Sequence, residues 1–159
     1  MAHDIPRAAF VDSQGWMALV NRRDQAHSAI TEAYLDLGSR GWKLYTSNWT
    51  AYEALSHIRE RAKNGGYEAA VALRRTLDTQ QVILLPVTKG IERRAQARFW
   101  AAKDKDWSMT LCANLEIMGD ANIIYVLSAA TPYEQAGLIL LVRPDSSGKH
   151  LYNRLPVEI

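Results

Sequence analysis

From Ala8 to Val11 the chain is continuously apolar, stops at Asp12, and resumes at Trp16 with a helical rhythm. The run is too short for a buried helix and has the length of a strand covered on both faces. The alternation then repeats. Trp16–Val20 reads as a short helix broken by the polar segment Asn21–Asp24. Ala26, Ala29, Ile30, Ala33, Tyr34 and Leu37 line one face of a second helix, stopped by Gly38 and Gly41. Trp42–Thr46 predicts the second strand, with Ser47 and Asn48 as turn and cap. Ala51, Ala54, Leu55, Ile58 and Ala62 predict a helix ended by Asn64-Gly65-Gly66, and Ala70, Leu73 and Leu77 mark another from Tyr67 to about Asp78.

Val82–Val87 is a near-continuous apolar run, the expected pattern of a strand covered on both faces. Thr88 opens a helix carrying Ile91, Ala95 and Phe99. The polar turn Asp104–Ser108 leads into a helix through Met109, Leu111, Cys112, Leu115 and Met118, closed by Asp120 and Asn122. Ile123–Leu127 predicts a fourth strand, Thr131-Pro132-Tyr133-Glu134 a helical turn with proline at its tolerated first position, and Leu138–Val142 a fifth strand. Alternating strands and helices predict a parallel α/β sheet with right-handed crossovers and helices on both faces. Beyond Pro144 the pattern changes, which divides the chain into a domain over 1–144 and a tail over 145–159 that packs on a partner or is disordered.

Composition narrows the class. At 159 residues, 48% apolar and 23% charged, the chain is long enough for one packed core and is not of disordered composition. A single cysteine, Cys112, excludes an internal disulfide and fits a reducing compartment. Met1–Arg7 contains Asp4 and Pro6 and no apolar core of a signal peptide, and no apolar run approaches the ~20 residues of a membrane helix, so the expected location is cytoplasmic. A net charge of +2 permits nucleic-acid binding without requiring it.

The chemistry starts at Asp12. A carboxylate directly after a buried strand sits where open α/β sheets bind ligands, beyond the carboxyl ends of their strands. The same residue could simply cap the helix that follows. Glu53 falls in the first turn of its predicted helix, just past a strand end, where the helix dipole favours an acid in any case. His3, His27, His57 and His150 have no partners at metal-ligand spacing and read as surface or packing residues. Cys112 lies in an apolar helical pattern and reads as a buried thiol. The cations Arg93, Arg94, Arg98, Lys103 and Lys105 read as a solvated helix face. Trp49 and Trp107 flank the candidate site and could stack on bases, with core or dimer packing as the alternative.

Four stretches in order, Val11-Asp12-x-x-Gly15-Trp16, Ser47-Asn48-x-x-x-x-Glu53, Asp104-Lys105-Asp106-Trp107-Ser108-Met109-Thr110 and Glu134-Gln135-Ala136-Gly137-Leu138, resemble the PIN domain in its VapC-type toxin version. The resemblance covers roughly residues 10–141. It implies a three-layer α/β/α fold with a central parallel sheet of about five strands, often a homodimer. It also implies acidic residues holding Mg²⁺ or Mn²⁺ for RNA cleavage, with Asp12 and Glu53 at the first two acidic positions. Such a hard cation takes oxygen ligands and activates a bound water.

The third acidic position, directly after Trp-Ser-x-Thr, is Leu111, and a further one ahead of Glu-Gln-Ala-Gly is Ala130. Neither can bind a cation. Asp106 is the nearest substitute, with helix capping as its alternative, and Glu116 is a weaker one. The resemblance therefore points to catalytic and metal-binding candidates Asp12, Glu53 and Asp106, and to RNA contacts at Ser13, Asn48, Trp107 and Ser108. The expected function is a PIN-like module with lost or weakened nuclease activity. The rival is an active Mg²⁺- or Mn²⁺-dependent ribonuclease, the toxin of a toxin–antitoxin pair. Expected partners are a second copy of the chain, RNA and an antitoxin-like protein, with no membrane. A crevice short of two carboxylates is also less negative, so RNA could enter it without a metal.

Overall fold

A computed structural model describes residues 6–61 and 64–154. In chain order the elements are β1 (Ala8–Val11), α1 (Ser13–Val20), α2 (His27–Ser39), β2 (Lys43–Ser47), α3 (Asn48–Glu60), α4 (Gly66–Leu77) and β3 (Val82–Leu85). There follow α5 (Lys89–Ala101), α6 (Met109–Ala121), β4 (Tyr125–Leu127), α7 (Pro132–Gln135), β5 (Ile139–Leu140), β6 (Val142–Pro144) and β7 (His150–Tyr152). Five strands form one parallel sheet in the order β3-β2-β1-β4-β5. The α/β architecture expected from the alternating pattern is thus observed.

β1 is the axis of both cores, because successive side chains of a strand leave opposite faces. Ala9 and Val11 pack with Trp16, Leu44, Leu127 and the apolar faces of α2, α3 and α4, while Ala8 and Phe10 pack with Val126, Leu115, Met118 and Tyr133. Helices therefore cover each face of the sheet. Trp16 fastens the first layer, since its indole N–H donates to Thr46 Oγ1 at 3.0 Å and that hydroxyl donates to the Val11 carbonyl at 2.9 Å. Among the described residues no helix is long and apolar enough to cross a membrane.

Two expectations need correction. Val82–Val87 was expected to be covered on both faces, yet β3 ends at Leu85 and lies at the sheet edge with Leu84 41% exposed. Pro86 has no N–H with which to extend a ladder, and a run of apolar residues carries no information about which neighbour is absent.

The region after Pro144 is neither a structureless linker nor, through Tyr152, free of its own domain. β6 and β7 form an antiparallel hairpin. Its turn is built by Asp145, whose Oδ1 accepts from the Ser147 and Lys149 N–H groups, and by Gly148 at φ +87°. The Tyr152 hydroxyl donates to Asp36 Oδ2 at 2.7 Å on α2, where Arg40 also bonds at 2.8 Å. That hydroxyl's pKa is raised by burial and by Asp36, while Asp36 is lowered by the Tyr152 bond. Tyr152→Phe is expected to cost about 1–2 kcal/mol in urea unfolding, the loss of a bond to a charged acceptor. An unchanged midpoint would show that the hairpin is not fastened through this contact. His3 and residues 155–159 lie outside the described residues.

Candidate functional site

β1, β2 and β4 run parallel and end at the same edge of the sheet, where the polar residues Asp12, Ser47 and Ser128 are buried. Asp12 follows β1 in extended backbone at φ −90°, ψ −179°, which stops the strand and opens α1. Its Oδ1 accepts the Gly15 N–H at 2.8 Å, so Asp12 is the cap of α1. It is also only 5% exposed. The capping reading is thus observed, on a carboxyl that stands just past the carboxyl end of β1.

Gly15 permits that geometry. A Cβ there would lie 2.2 Å from the Leu127 carbonyl oxygen and 2.9 Å from Val11 Cγ1. Only a glycine lets α1 rest directly on the end of β4.

Burial is the main reason that the Asp12 carboxyl is pushed up to about 6, against the lowering effect of the Gly15 and Ser128 bonds; the Glu53 charge raises it further. The unfolded carboxyl titrates near 3.8, so the folded chain binds the extra proton between about pH 4 and pH 6. This group's contribution to stability is full below the unfolded value and is lost as pH rises through the folded value. Asp12→Asn keeps an oxygen that can cap α1 and removes the charge. The variant is expected to be more stable than wild type by up to about 3 kcal/mol at pH 7, the gap closing by pH 4. Paired urea titrations at the two values check it. A variant less stable at pH 7 would mean that the ionised form is favoured by its surroundings.

Glu53 stands in the second turn of α3, not the first as expected, because the helix begins at Asn48 behind the Ser47 cap. Ser13 Oγ donates to Glu53 Oε1 at 3.0 Å, which brings the start of α1 against α3. Asp106 takes a different position. It is exposed in the turn before α6, and the cap of that helix is Ser108. Among the described residues no three His, Cys, Asp or Glu side chains gather as a metal-holding group, so Asp106 does not complete a triad with Asp12 and Glu53. Glu116 is bonded elsewhere, to Arg94 at 3.4 Å and Arg98 at 3.1 Å.

Leu111 and Ala130 are each 8% exposed and belong to one apolar cluster with Phe10 and Tyr133. Beside them lies a polar network that sequence reasoning missed. Asn114, one turn along α6 from Leu111, accepts from Ser47 Oγ at 2.9 Å and Thr50 Oγ1 at 3.1 Å. Its amide donates to the Tyr133 hydroxyl at 3.2 Å. Burial, together with the Asp12 charge, holds the Tyr133 hydroxyl well above its ordinary pKa, so it is a neutral hydrogen-bonding group here. The available signal was a lone amide in the run Leu111-Cys112-Ala113-Asn114-Leu115, since a buried polar group of this kind needs partners.

The side chains expected to meet RNA all have partners within the chain. Ser13 bonds Glu53; Asn48 Oδ1 accepts from Val87 N at 2.8 Å; Ser108 Oγ accepts from Leu111 N at 3.0 Å; and the Trp107 indole donates to Gln135 at 3.1 Å. Trp49 and Trp107 pack around Ala95, Cys112 and Ala113, and Cys112 is fully buried. His27 Nδ1 lies 2.7 Å from the Ala18 carbonyl, a packing role.

No family model matches the sequence, and no curated protein matches it. Among solved structures, this chain is similar to the crystal structure of VapC20 from Mycobacterium tuberculosis, a toxin that cleaves the sarcin–ricin loop. The TM-score is 0.74 at 22% identity, over 82% of this chain and 96% of that one. The five-stranded parallel sheet with its flanking helices is the PIN fold of that toxin.

Proposed function

We propose that this chain is a relative of the VapC-type endoribonucleases whose nuclease activity is lost or weakened, and that it acts as a binding or assembly module. The observation that carries the reading is the apolar packing of Leu111 and Ala130 in one cluster with Tyr133, whose hydroxyl feels the charges of both Asp12 and Glu53. A resident Mg²⁺ requires several ionised or carbonyl oxygens around it. Two carboxylates are offered, one of them buried with its pKa raised toward neutrality, and the adjoining wall is leucine and alanine. That donor set does not fit a resident divalent cation.

Its partners, on this reading, are RNA, a second copy of the chain and an antitoxin-like protein. RNA is favoured by a crevice with fewer carboxylates, and Ser13, Asn48, Trp107 and Ser108 remain the contacts assigned to it. The rival is metal-dependent RNA cleavage by Asp12, Glu53 and Asp106. Titration calorimetry with Mn²⁺ on wild type and Asp12→Ala, beside an RNA-cleavage assay, separates the two. Millimolar Mn²⁺ is expected to give neither binding heat nor cutting. Binding and cutting that both disappear in Asp12→Ala would establish a working nuclease instead.

A further inference from the structure

Next to the acidic crevice but separate from it, α1, the α1–α2 turn and the facing ends of α3 and α4 enclose a groove of about 980 Å³. Gln14 and Ala129 also line it, each close in sequence to the buried Asp12 or Ser128. The floor is aliphatic, from Met17, Ile30, Ile58 and Ala69. Around it stand Arg22, Arg23 and Arg61.

Among the described residues Arg22, Arg23 and Arg61 form no ion pair, as is also true of Arg7, Arg59, Arg74, Arg75 and Arg93, so their charges are open to a ligand. Two acids also line the groove, Asp24 and Glu60, and Asp24 already spends Oδ1 on the Ala26 N–H at 2.8 Å. Cations therefore outnumber anions before the imidazoles of His57 and His150 are considered.

We propose that this groove binds a small organic phosphate, its phosphoryl group held by Arg22, Arg23 and Arg61 and its apolar part resting on Met17, Ile30 and Ile58. Arginine suits the role because its planar, permanently charged fork matches phosphate oxygens in pairs. The volume is that of a small-molecule site. Among the described residues no Phe, Tyr or Trp lines the groove. The site does not depend on whether the acidic crevice cuts RNA.

Butyl phosphate, inorganic phosphate and an RNA hairpin are the probes, titrated into the full chain at low salt. Butyl phosphate is expected to bind more tightly than inorganic phosphate. Arg22→Ala with Arg23→Ala is expected to weaken it by roughly tenfold or more, as loss of charge-assisted bonds implies. Arg61→Gln, whose residue closes α3 through its backbone N–H, tests the third cation without disturbing that cap. An Arg74→Ala, Arg75→Ala control elsewhere on α4 is expected to leave binding unchanged. Equal weakening by the control pair would reduce the effect to general charge and overturn the site. So would RNA binding that depends on Arg22 and Arg23 while butyl phosphate does not bind, which would assign the groove to a nucleic-acid backbone.

Discussion

Replacing Leu111 and Ala130 together by aspartate is expected to create a divalent-cation site that, on the proposed reading, wild type lacks. Ala130 belongs to the same segment as Ser128, which bonds Asp12, and Leu111 lies one turn before Asn114, which reaches Tyr133. Two added carboxylates would double the number beside Asp12 and Glu53. Without metal the double variant should lose roughly 3–5 kcal/mol or more, because each new charge enters a nearly closed apolar cluster without a partner. Metal should restore much of that loss, since a ligand bound only to the folded state at 100 times its Kd contributes about 2.7 kcal/mol. The melting temperature of the variant should therefore rise with Mn²⁺ while that of wild type stays still. Metal-dependent RNA cleavage should accompany the rise and vanish on adding Asp12→Ala. A folded double variant indifferent to Mn²⁺ would show that these two positions do not decide cation binding.

The second large effect is expected from the removal of space. Gly15→Ala should destabilise the fold by about 3 kcal/mol or more, the upper range for forcing extra volume into a packed interior. The added carbon would meet the Leu127 carbonyl at 2.2 Å, so α1 must lift from β4, and Asp12 Oδ1, only 3.4 Å from it, would be disturbed with the helix. Gly119→Ala is the matched control. It lies in α6 with nothing within 4 Å of the added carbon, and the ordinary helix preference for alanine should there stabilise by roughly 0.5–1 kcal/mol. Opposite signs in urea unfolding are the expected result. Destabilisation of similar size at both positions would mean that the contact with Leu127 is not the cause.

The central part of this fold was legible because its signals are local. Four apolar residues followed by Asp12 specify β1 and the cap of α1, and Asn122 at φ 56° ends α6 where the sequence placed its end. What escaped depends on neighbours distant in sequence. The apolar run of β3 says nothing of the missing strand beside it, and the hairpin of β6 and β7 is fastened by Asp36, far away in the chain. The site divides in the same way. Asp12 announces itself by position, and Glu53 was identified one turn too early in its helix. Asn114, Ser47, Thr50 and Tyr133 come from four separate elements, α6, β2, α3 and α7, and become a network only once packed. Asp106 lies near the site in sequence but belongs to an exposed turn.

The place of β1 also governs how the chain emerges from the ribosome. It is made first, and β2 and β3 soon add to one of its edges, but the other edge waits for Tyr125–Leu127. Until then the half-built sheet presents an unpaired apolar border, the kind of surface that chaperones cover and that recruits stray strands. Truncation before β4 should therefore yield an aggregating fragment, and slow translation across α5 and α6 lengthens the interval in which nascent chains are exposed to that fate.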